Sequence, residues 1–464
     1  MLLTLSFLQL IPAQAFVELE NRQPVEVEGE LLTPFWSQEY IGADLVKKEM
    51  QKLTDLKTIP FAVYDIGFEQ NFVRHSPQLV VDRAMNGSRF IKAHHGTSVA
   101  NLINGPGMMS VSEVVDFVQL RRVSPALFYF GAVEDMLKLP VRPMIISNSM
   151  GWSSPEVKSL AQKVDQEGII WVMASGNDHP QAIVEHERTA PVISVGSSSP
   201  RGLQTISSQE SDQLDVLAPA DEYQASIDGN GQVILFGETS GATPLVSGSI
   251  ANIKALLPSL TRKQVEKLIK RTAYQSLHRF YSKTNKAGLF NAYKMFHVAL
   301  RLKNICGESN ACLEQEIGTK KNYLFSEEVL SAKTSNICET SESLSQQEME
   351  TLRKNVLLAT NPAPSAKLLS CAYRNEKYLI NADYYENLAF IYTNPASLQK
   401  KIRQQAIEAV EKGYNESAAL RDAELLDESY QDALLKVIAN DQGIGAYRAK
   451  ELLKIYEATP KIEL

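Results

Sequence analysis

Three residues of this chain have the side-chain types needed for nucleophilic catalysis: Asp65, His95 and Ser240. In such a triad the carboxylate orients the imidazole, the imidazole takes the hydroxyl proton, and the alkoxide attacks a carbonyl carbon. A fourth residue, Asn177, carries a side-chain amide that can donate to the oxygen anion formed by that attack. Together these residue types predict an acyl-transfer site.

Each of these residues follows or opens a predicted element. Asp65 follows the apolar run FAVY, and Asn177 comes shortly after the apolar run GIIWVMAS. His95 opens a helical stretch, and Ser240 lies at a strand-to-helix turn with Pro244 in the first helical turn, where a missing N–H is harmless. A carboxylate buried at a strand end needs a partner, because desolvating it unpaired costs several kcal/mol. We therefore expect Asp65 to pair with His95.

The elements that hold these residues form an alternating pattern over residues 58–302. Apolar, β-branched runs are separated by stretches with helical spacing, such as SPEVKSLAQKVDQEG; the runs are IPFAVYDI, EVVDFVQL, PMIISNSM, GIIWVMAS and PVISVGS. Continuous apolar strands alternating with helices are typical of a sheet covered on both faces. The sequence therefore predicts an α/β domain with a three-layer, mostly parallel sheet, whose active groups gather at the carboxyl ends of the strands.

These blocks resemble the motifs of the subtilisin-like serine proteases (subtilases), whose triad follows the chain order Asp, His, Ser. Four blocks match in that order: Asp65-Ile66-Gly67 for D-[ST]-G, His95-Gly96-Thr97-Ser98-Val99-Ala100 for H-G-T-x-V-A, Ala174-Ser175-Gly176-Asn177 for the oxyanion block, and Thr239-Ser240-Gly241-Ala242-Thr243-Pro244 for T-S-x-A-[TS]-P. Three supporting blocks also fall in order: Ser149-Met150-Gly151, Asp215-Val216-Leu217-Ala218-Pro219 and the closing helix LTRKQVEKLIKRTA. The resemblance covers residues 58–300.

This resemblance implies a serine endopeptidase that acts on a protein or peptide substrate. By resemblance, Ser240 is the nucleophile, His95 the general base and then acid, and Asp65 the orienting carboxylate. The Asn177 amide and the Ser240 backbone N–H hold the oxyanion. The substrate backbone pairs as an added strand along Ser149, Met150 and Gly151.

The blocks also depart from the family pattern at three positions. Glu238 stands where the family has Gly before the Thr-Ser pair, His94 replaces the Gly before the triad His, and Ile66 replaces a hydroxyl residue. We therefore expect one hydrogen bond that supports Asp65 to be missing. The departures leave open a second hypothesis, a catalytically inactive subtilisin-like scaffold that binds extended peptides.

An α/β-hydrolase that uses Ser149 as nucleophile is a third hypothesis. It fits less well, because that nucleophile turn needs Gly at the position of Ser147, and the triad order there is Ser, acid, His.

No cofactor is predicted from the sequence, and no metal site. Subtilases often bind structural calcium, but no set of six to eight oxygen ligands can be identified here. Asp228 begins the segment DGNG, which we interpret as a hairpin turn. His179 and His186 lack the H-E-x-x-H spacing of a zinc protease, and we interpret them as surface-loop residues.

The ends of the chain indicate export. Residues 1–15 form a short apolar stretch that ends in Ala-Gln-Ala, which is typical of a signal peptide, although a buried strand or helix is the alternative. Residues 16–57 form a polar N-terminal extension without a clear period. Family members are often made with an inhibitory propeptide domain, and this extension is short enough that we expect that domain to be absent or reduced.

A cysteine-bearing, mainly helical C-terminal region is predicted for residues 303–464. Its four cysteines are 306, 312, 338 and 371, and an even, clustered count suits disulfides in a periplasmic or secreted protein. Three connectivities are open, and a zinc site is the competing interpretation, although a close CxxC pair is missing. The region has three candidate roles: binding a partner protein, capping the cleft, or bracing the catalytic domain.

Composition excludes several partner classes. The 464-residue chain is 44% hydrophobic and 22% charged, as in ordinary globular proteins. Its 47 basic and 54 acidic side chains give a net charge of −7 without a Lys/Arg-dense block, so we expect no nucleic-acid partner. No apolar run reaches the roughly 18 residues that a membrane-spanning helix needs, so we expect no membrane span.

Overall fold

A computed structural model describes residues 23–401, apart from 28, 70–72, 74–79, 82–93, 124–128, 151–155, 180, 206, 222, 278–284, 320–323 and 399. The predicted signal peptide and the last part of the C-terminal region therefore lie outside the described residues. So does Gly151, one of the three residues of the predicted substrate strand.

The N-terminal extension contains two helices that the sequence pattern did not indicate. An antiparallel pair, β1 (Val25–Val27) and β2 (Glu30–Leu32), precedes helices α1 (Trp36–Ile41) and α2 (Ala43–Met50). The two helices meet at Gly42, whose φ is +71° and whose absent Cβ would lie 2.7 Å from both Leu357 and Tyr293. This break after six helical residues hides the apolar period, yet Trp36 and Leu45 are fully or almost fully buried.

The apolar runs of the sequence form a parallel sheet. The remaining strands are, in chain order, β3 (Ile59–Asp65), β4 (Val80–Val81), β5 (Val115–Arg122), β6 (Ile145–Asn148), β7 (Ile170–Ala174), β8 (Ile193–Ser198), β9 (Val216–Pro219), β10 (Ala225–Ile227), β11 (Val233–Leu235) and β12 (Gly288–Leu289). All of these except β10 and β11 make one sheet in the order β12-β9-β8-β7-β6-β3-β5-β4, and every neighbouring pair is parallel. Each of the five predicted apolar runs contains all or most of one of these strands, which confirms the predicted α/β class.

Helices cover both faces of the sheet. Those that surround the sheet are α3 (His94–Asn104), α4 (Tyr129–Met136), α5 (Glu156–Gln166), the short α6 (Glu185–Arg188), α7 (Glu238–Leu256) and α8 (Arg262–Thr272). Residues of β3 belong to opposite cores: Phe61 packs in the cluster that includes α3 and α7, and Tyr64 in the cluster that includes α4 and α5. The three-layer prediction is therefore confirmed.

The hairpin predicted at DGNG is confirmed as well. Strands β10 and β11 pair antiparallel, and the Asp228 carboxylate accepts the backbone N–H groups of Asn230 and Gln232 at 2.8 and 2.9 Å. These bonds close the turn, as an Asx side chain commonly does. Asp228 therefore serves the turn.

The C-terminal region is mainly helical where it is described. Helix α9 (Ala292–Cys306) leads into it, and it contains α10 (Asn310–Gly318), α11 (Ala332–Ser335), α12 (Gln346–Leu358), α13 (Ala363–Asn375) and α14 (Leu379–Thr393). All four cysteines are paired, Cys306 with Cys312 and Cys338 with Cys371. The disulfide prediction is confirmed in its most local connectivity, and the zinc interpretation is wrong.

The N-terminal extension packs against the C-terminal region through buried polar contacts. The two terminal guanidinium nitrogens of Arg353, Nη2 and Nη1, donate to the Asp44 carboxylate at 2.7 and 2.9 Å. The ring of Tyr40 stacks on that of Tyr384 with 3.7 Å between centroids.

No helix within the described part of the chain is both long enough and apolar enough to cross a membrane.

Candidate active site

Asp65 and His95 form a hydrogen-bonded pair at the carboxyl end of β3. Asp65 is the last residue of that strand and is 0% exposed. Its Oδ1 lies 2.7 Å from His95 Nδ1, and the same oxygen accepts the backbone N–H of Ile66 at 2.7 Å. A carboxylate at Nδ1 favours the tautomer with its proton on that nitrogen, which leaves Nε2 able to accept a proton.

The glycine after His95 allows this close approach. A Cβ at Gly96 would lie 2.4 Å from the carbonyl oxygen of Gly67 and 2.9 Å from Asp65 Cβ. Any larger residue there would push α3 away from the turn that follows β3. The H-G pair of the sequence motif thus has a packing cause.

The pKa of His95 is raised above its usual value. Burial of the ring, which lowers the pKa, is the largest single influence, but the charge of Asp65 and its hydrogen bond together outweigh it. The His95 side chain is 28% exposed, so solvent can still reach the imidazole.

The expected loss of one hydrogen bond to Asp65 is visible in the structure. Oδ2 of Asp65 is buried and accepts no hydrogen bond from any described residue. The family pattern has a hydroxyl residue at the position of Ile66, whose side chain has no donor. The carboxylate is therefore held by one oxygen only.

Ser240 lies in the first turn of α7, and its hydroxyl forms a hydrogen bond with Ser149, the residue that follows β6. Ser240 Oγ donates to the backbone oxygen of Ser149 at 3.0 Å, and Ser149 Oγ donates in turn to the backbone oxygen of Ser240 at 2.9 Å. The single hydroxyl proton of Ser240 is thus directed at Ser149 rather than at the imidazole of His95. Sequence reasoning gave no sign of this reciprocal pair.

Phe236 is a further site residue that the motifs did not reveal. Its ring meets the His95 ring edge-to-face, with 5.0 Å between centroids. It follows β11 directly, and its backbone N–H donates to the backbone oxygen of Gln224 at 2.7 Å, which fixes the chain just before α7. The sequence signal was only its position four residues before Ser240.

Asn177 lies beside the start of α7, as the oxyanion prediction requires. Its Oδ1 accepts from the hydroxyl and the backbone N–H of Thr239, at 2.6 and 3.3 Å. Its Nδ2 donates to Oε2 of Glu238 at 2.8 Å. The amide of Asn177 is therefore oriented by one residue of the Thr-Ser block and bound by the carboxylate of the residue before it.

Glu238 adopts an unusual backbone conformation at this point. Its φ is +54°, and among the described residues only Glu238 and Lys377 have positive φ without being glycine. A glycine takes that conformation at little cost, whereas a side chain there is strained. The departure from the family pattern noted in the sequence therefore coincides with backbone strain.

The predicted substrate strand is described in part. Ser149 is 3% exposed and bound to Ser240, as above, while Met150 packs against the cluster formed with α4 and α5. Gly151 lies outside the described residues. The structure thus brings Ser149 into contact with Ser240.

The remaining sequence interpretations concern metals and histidines. Within the described ranges, no group of three or more His, Cys, Asp or Glu is arranged to hold a metal ion. His179 is 5% exposed and its backbone N–H donates to Ser207, so the interpretation of His179 as a surface residue is wrong. His186 lies in the short helix α6.

Comparisons with known proteins agree with the motifs. A family model described as the subtilase family matches residues 62–295, which include Asp65, His95, Asn177 and Ser240. Alkaline elastase YaB from Bacillus sp. (strain YaB) is 31% identical over 188 residues, which are 39% of this chain and 50% of that protein. Subtilisin Savinase from Lederbergia lenta is 30% identical over 189 residues, 39% of this chain and 70% of that protein.

A third relative matches over a longer segment. Thermostable alkaline protease from Halalkalibacterium halodurans is 26% identical over 282 residues, which are 50% of this chain and 77% of that protein. The chain thus spans half the length of the elastase and about three quarters of the alkaline protease.

Proposed function

This chain belongs to the subtilase family, and from that premise we propose that it is a serine endopeptidase working through an acyl-enzyme. The observation that carries the proposal is the 2.7 Å bond between the fully buried Asp65 and His95 Nδ1. Burying a charge is costly even when it is paired, and buried titratable pairs of this kind concentrate at functional sites.

In the proposed acylation step Ser240 attacks the carbonyl carbon of the scissile peptide. The Ser240 hydroxyl first turns from the Ser149 oxygen toward His95. His95 Nε2 then takes the hydroxyl proton as the new oxygen–carbon bond forms. When the tetrahedral intermediate collapses, the C–N bond breaks and His95 returns the proton to the leaving amine.

Deacylation repeats these steps with water as the nucleophile. His95 takes a proton from the water, the hydroxide oxygen bonds to the acyl carbon, and the bond to Ser240 Oγ breaks with return of the proton to that oxygen. Asp65 stays ionised throughout and stabilises the imidazolium in both halves.

Asn177 and the start of α7 are the proposed oxyanion donors. The backbone N–H of Ser240 lies in the first turn of a 19-residue helix, where the aligned peptide dipoles favour negative charge. Thr239 donates to the side-chain oxygen of Asn177, which fixes the amide so that its Nδ2 points to Glu238, two residues before Ser240. Fixed donors of this kind stabilise the anion without reorganising during the reaction.

The proposed substrate is an extended protein or peptide segment. It would pair with the backbone of residues 149–151 as an added strand, so that main-chain bonds supply affinity. No cofactor takes part in this chemistry.

The inactive scaffold stays a second candidate function, because two observations favour it. The Asn177 amide is already bound to a carboxylate, and the Ser240 hydroxyl donates away from His95. A protein that only binds peptides would not need the Asn177 amide or the Ser240 hydroxyl to be free of these hydrogen bonds.

We further propose that the protein is exported and that its C-terminal region braces the catalytic domain. The two disulfides suit an oxidising compartment. The bidentate Arg353–Asp44 pair links the region to the N-terminal helices, which are part of the main core. Binding of a partner protein by this region stays a prediction.

Labelling with a fluorophosphonate probe tests the proposed function. The purified protein is incubated with the probe, digested, and mapped by mass spectrometry, with Ser240→Ala and Ser149→Ala as matched serine variants. The enzyme hypothesis predicts a phosphonyl adduct on Ser240 that is absent from Ser240→Ala and that remains on Ser240 in Ser149→Ala. A protein that is folded by circular dichroism yet unlabelled favours the scaffold.

A further inference from the structure

The carboxylate of Glu238 occupies the donor that the proposed mechanism assigns to the oxyanion. Glu238 Oε2 accepts from Asn177 Nδ2 at 2.8 Å. The other end of the amide is held by Thr239, so Asn177 cannot turn this donor elsewhere without losing two hydrogen bonds. A substrate carbonyl oxygen that approaches the same nitrogen meets an acceptor already in place.

Charge makes this contact antagonistic to catalysis. A carboxylate and a tetrahedral oxyanion carry the same charge and use the same donors, so each disfavours the other at short range. Both are also favoured by the N-terminus of α7, where Glu238 is the first helical residue. The Glu238 carboxylate therefore occupies the position where the N-terminus of α7 and the Asn177 amide together favour an anion.

The backbone of Glu238 indicates that this position is not chosen for fold stability. Its φ of +54° is one that a glycine adopts freely, and strain of this kind concentrates at functional sites. Glu238 is only half-buried, so its side chain can rotate toward solvent and release Asn177. In the same arrangement Ser240 donates to Ser149 and not to His95.

We propose that Glu238 is an autoinhibitory residue, whose carboxylate binds Asn177 in the resting enzyme and must leave before the oxyanion can form. The inference rests on the proposed function, since it names how that same site is regulated. Incoming substrate competes with the carboxylate for Nδ2, and any interaction that draws Glu238 toward solvent raises activity.

Two substitutions separate the charge of Glu238 from its strain. Glu238→Gly removes the side chain and suits the positive φ, while Glu238→Gln keeps the length and the backbone strain but removes the charge. We expect Glu238→Gly to raise the second-order rate constant for fluorophosphonate labelling of Ser240 by about tenfold to a hundredfold, no more than the roughly 10²–10³-fold that one oxyanion donor is worth. Glu238→Gln should raise it less, because its amide oxygen can still accept from Asn177 Nδ2. The probe reports on the donor because its phosphoryl oxygen takes the place of the oxyanion.

A double-mutant cycle with Asn177→Ala shows whether the effect passes through that amide. The inference predicts that Asn177→Ala/Glu238→Gly labels no faster than Asn177→Ala alone. Glu342→Gln, at a carboxylate that is 64% exposed in the C-terminal region, controls for net charge and should label like the wild type. Circular dichroism before each assay confirms that the variants are folded.

The outcomes distinguish this inference from the proposed function. If the wild type labels at Ser240 and Glu238→Gly and Glu238→Gln label no faster, autoinhibition is overturned and the endopeptidase proposal stands. An equal rise from Glu238→Gly with and without Asn177 overturns it too, because the effect would then bypass the amide. If no folded variant labels at all, both proposals fail, since release of the carboxylate should have exposed a working site.

Discussion

The two halves of the candidate site differ in how ready they are for catalysis. In one half Asp65 and His95 are already bonded through Nδ1, as a working base requires. In the other half Ser240 donates to Ser149 and Asn177 donates to Glu238, so the proposed nucleophile and the proposed oxyanion donor both already have hydrogen-bond acceptors. The difference teaches that motif matching finds the candidate residues, while the hydrogen bonds that each residue makes in the fold determine which of them are free to react.

The largest expected effect is loss of the nucleophile in the half that contains Ser240 and Asn177. Ser240→Ala removes the atom that forms the acyl bond, so we expect kcat to fall by about 10⁶-fold, a magnitude measured for subtilisin and carried over to this relative. Steady-state hydrolysis of a peptide substrate measures the loss. Activity near the wild-type level in Ser240→Ala would show that Ser240 is not the nucleophile.

A smaller loss is expected in the prearranged half. Asp65→Asn keeps the shape of the side chain but favours the wrong imidazole tautomer, and we expect kcat to fall by about 10⁴-fold. The same peptide assay applies, with the protein shown to be folded by circular dichroism. If kcat changes less than in Asn177→Ala, the Asp65–His95 pair is structural rather than catalytic.

The oxyanion donor should contribute less than either triad member. Asn177→Ala removes one donor to the anion and should lower kcat by about 10²–10³-fold with KM nearly unchanged, again a magnitude taken from subtilisin. Asn177→Asp is a matched control that keeps the size but replaces the donor with a second carboxylate, and it should be at least as inactive. A loss of stability with normal turnover per folded molecule would instead assign Asn177 to capping the turn after β7.

The pH profile should follow the prearranged half. His95 accepts a proton only when neutral, and its pKa is raised because Asp65 outweighs the effect of burial. Activity is therefore lost as pH falls through the raised pKa and is complete above it, with kcat/KM dropping about tenfold per pH unit on the acid side. Measurement of kcat/KM across the acid and alkaline range, all on one peptide, checks this; a maximum near pH ~4, the usual range of free carboxyl groups, would point to paired carboxylates.

The smallest effect on the site is expected from reducing the disulfides. Both bonds lie in the C-terminal region, and the loop closed by Cys338 and Cys371 should stabilise it by about 2–4 kcal/mol. Hydrogen exchange with and without reductant should show loosening of α12 and α13 but little change around β3 and α7. Equal loosening of both regions would show that the brace and the catalytic domain unfold as one unit.

Much of the fold follows from local patterns in the sequence. The five apolar runs each coincide with all or most of one strand of the sheet, because strands buried on both faces are largely apolar. The hairpin at Asp228 follows from turn chemistry within four residues. In contrast, the two N-terminal helices escape the pattern because Gly42 divides them into short pieces.

The site shows the same division between local and long-range information. Asp65, His95, Asn177 and Ser240 are found from motifs, but the partners that hold them come largely from distant segments. The bond from Ser240 to Ser149, the ring of Phe236 on His95 and the burial of His179 each depend on tertiary packing. Glu238 was visible as a departure from the family pattern, yet its contact with Asn177 joins residues that are 61 positions apart in the chain.

Pre-steady-state kinetics with a peptide p-nitrophenyl ester tests the central claim, an acyl-enzyme on Ser240, most directly. If Asp65, His95 and Ser240 act as one unit, mixing should release a rapid burst of p-nitrophenol equal to the concentration of folded enzyme, followed by slower turnover. The burst should vanish in Ser240→Ala. Turnover that lacks a burst in the wild type and survives in Ser240→Ala would contradict the account.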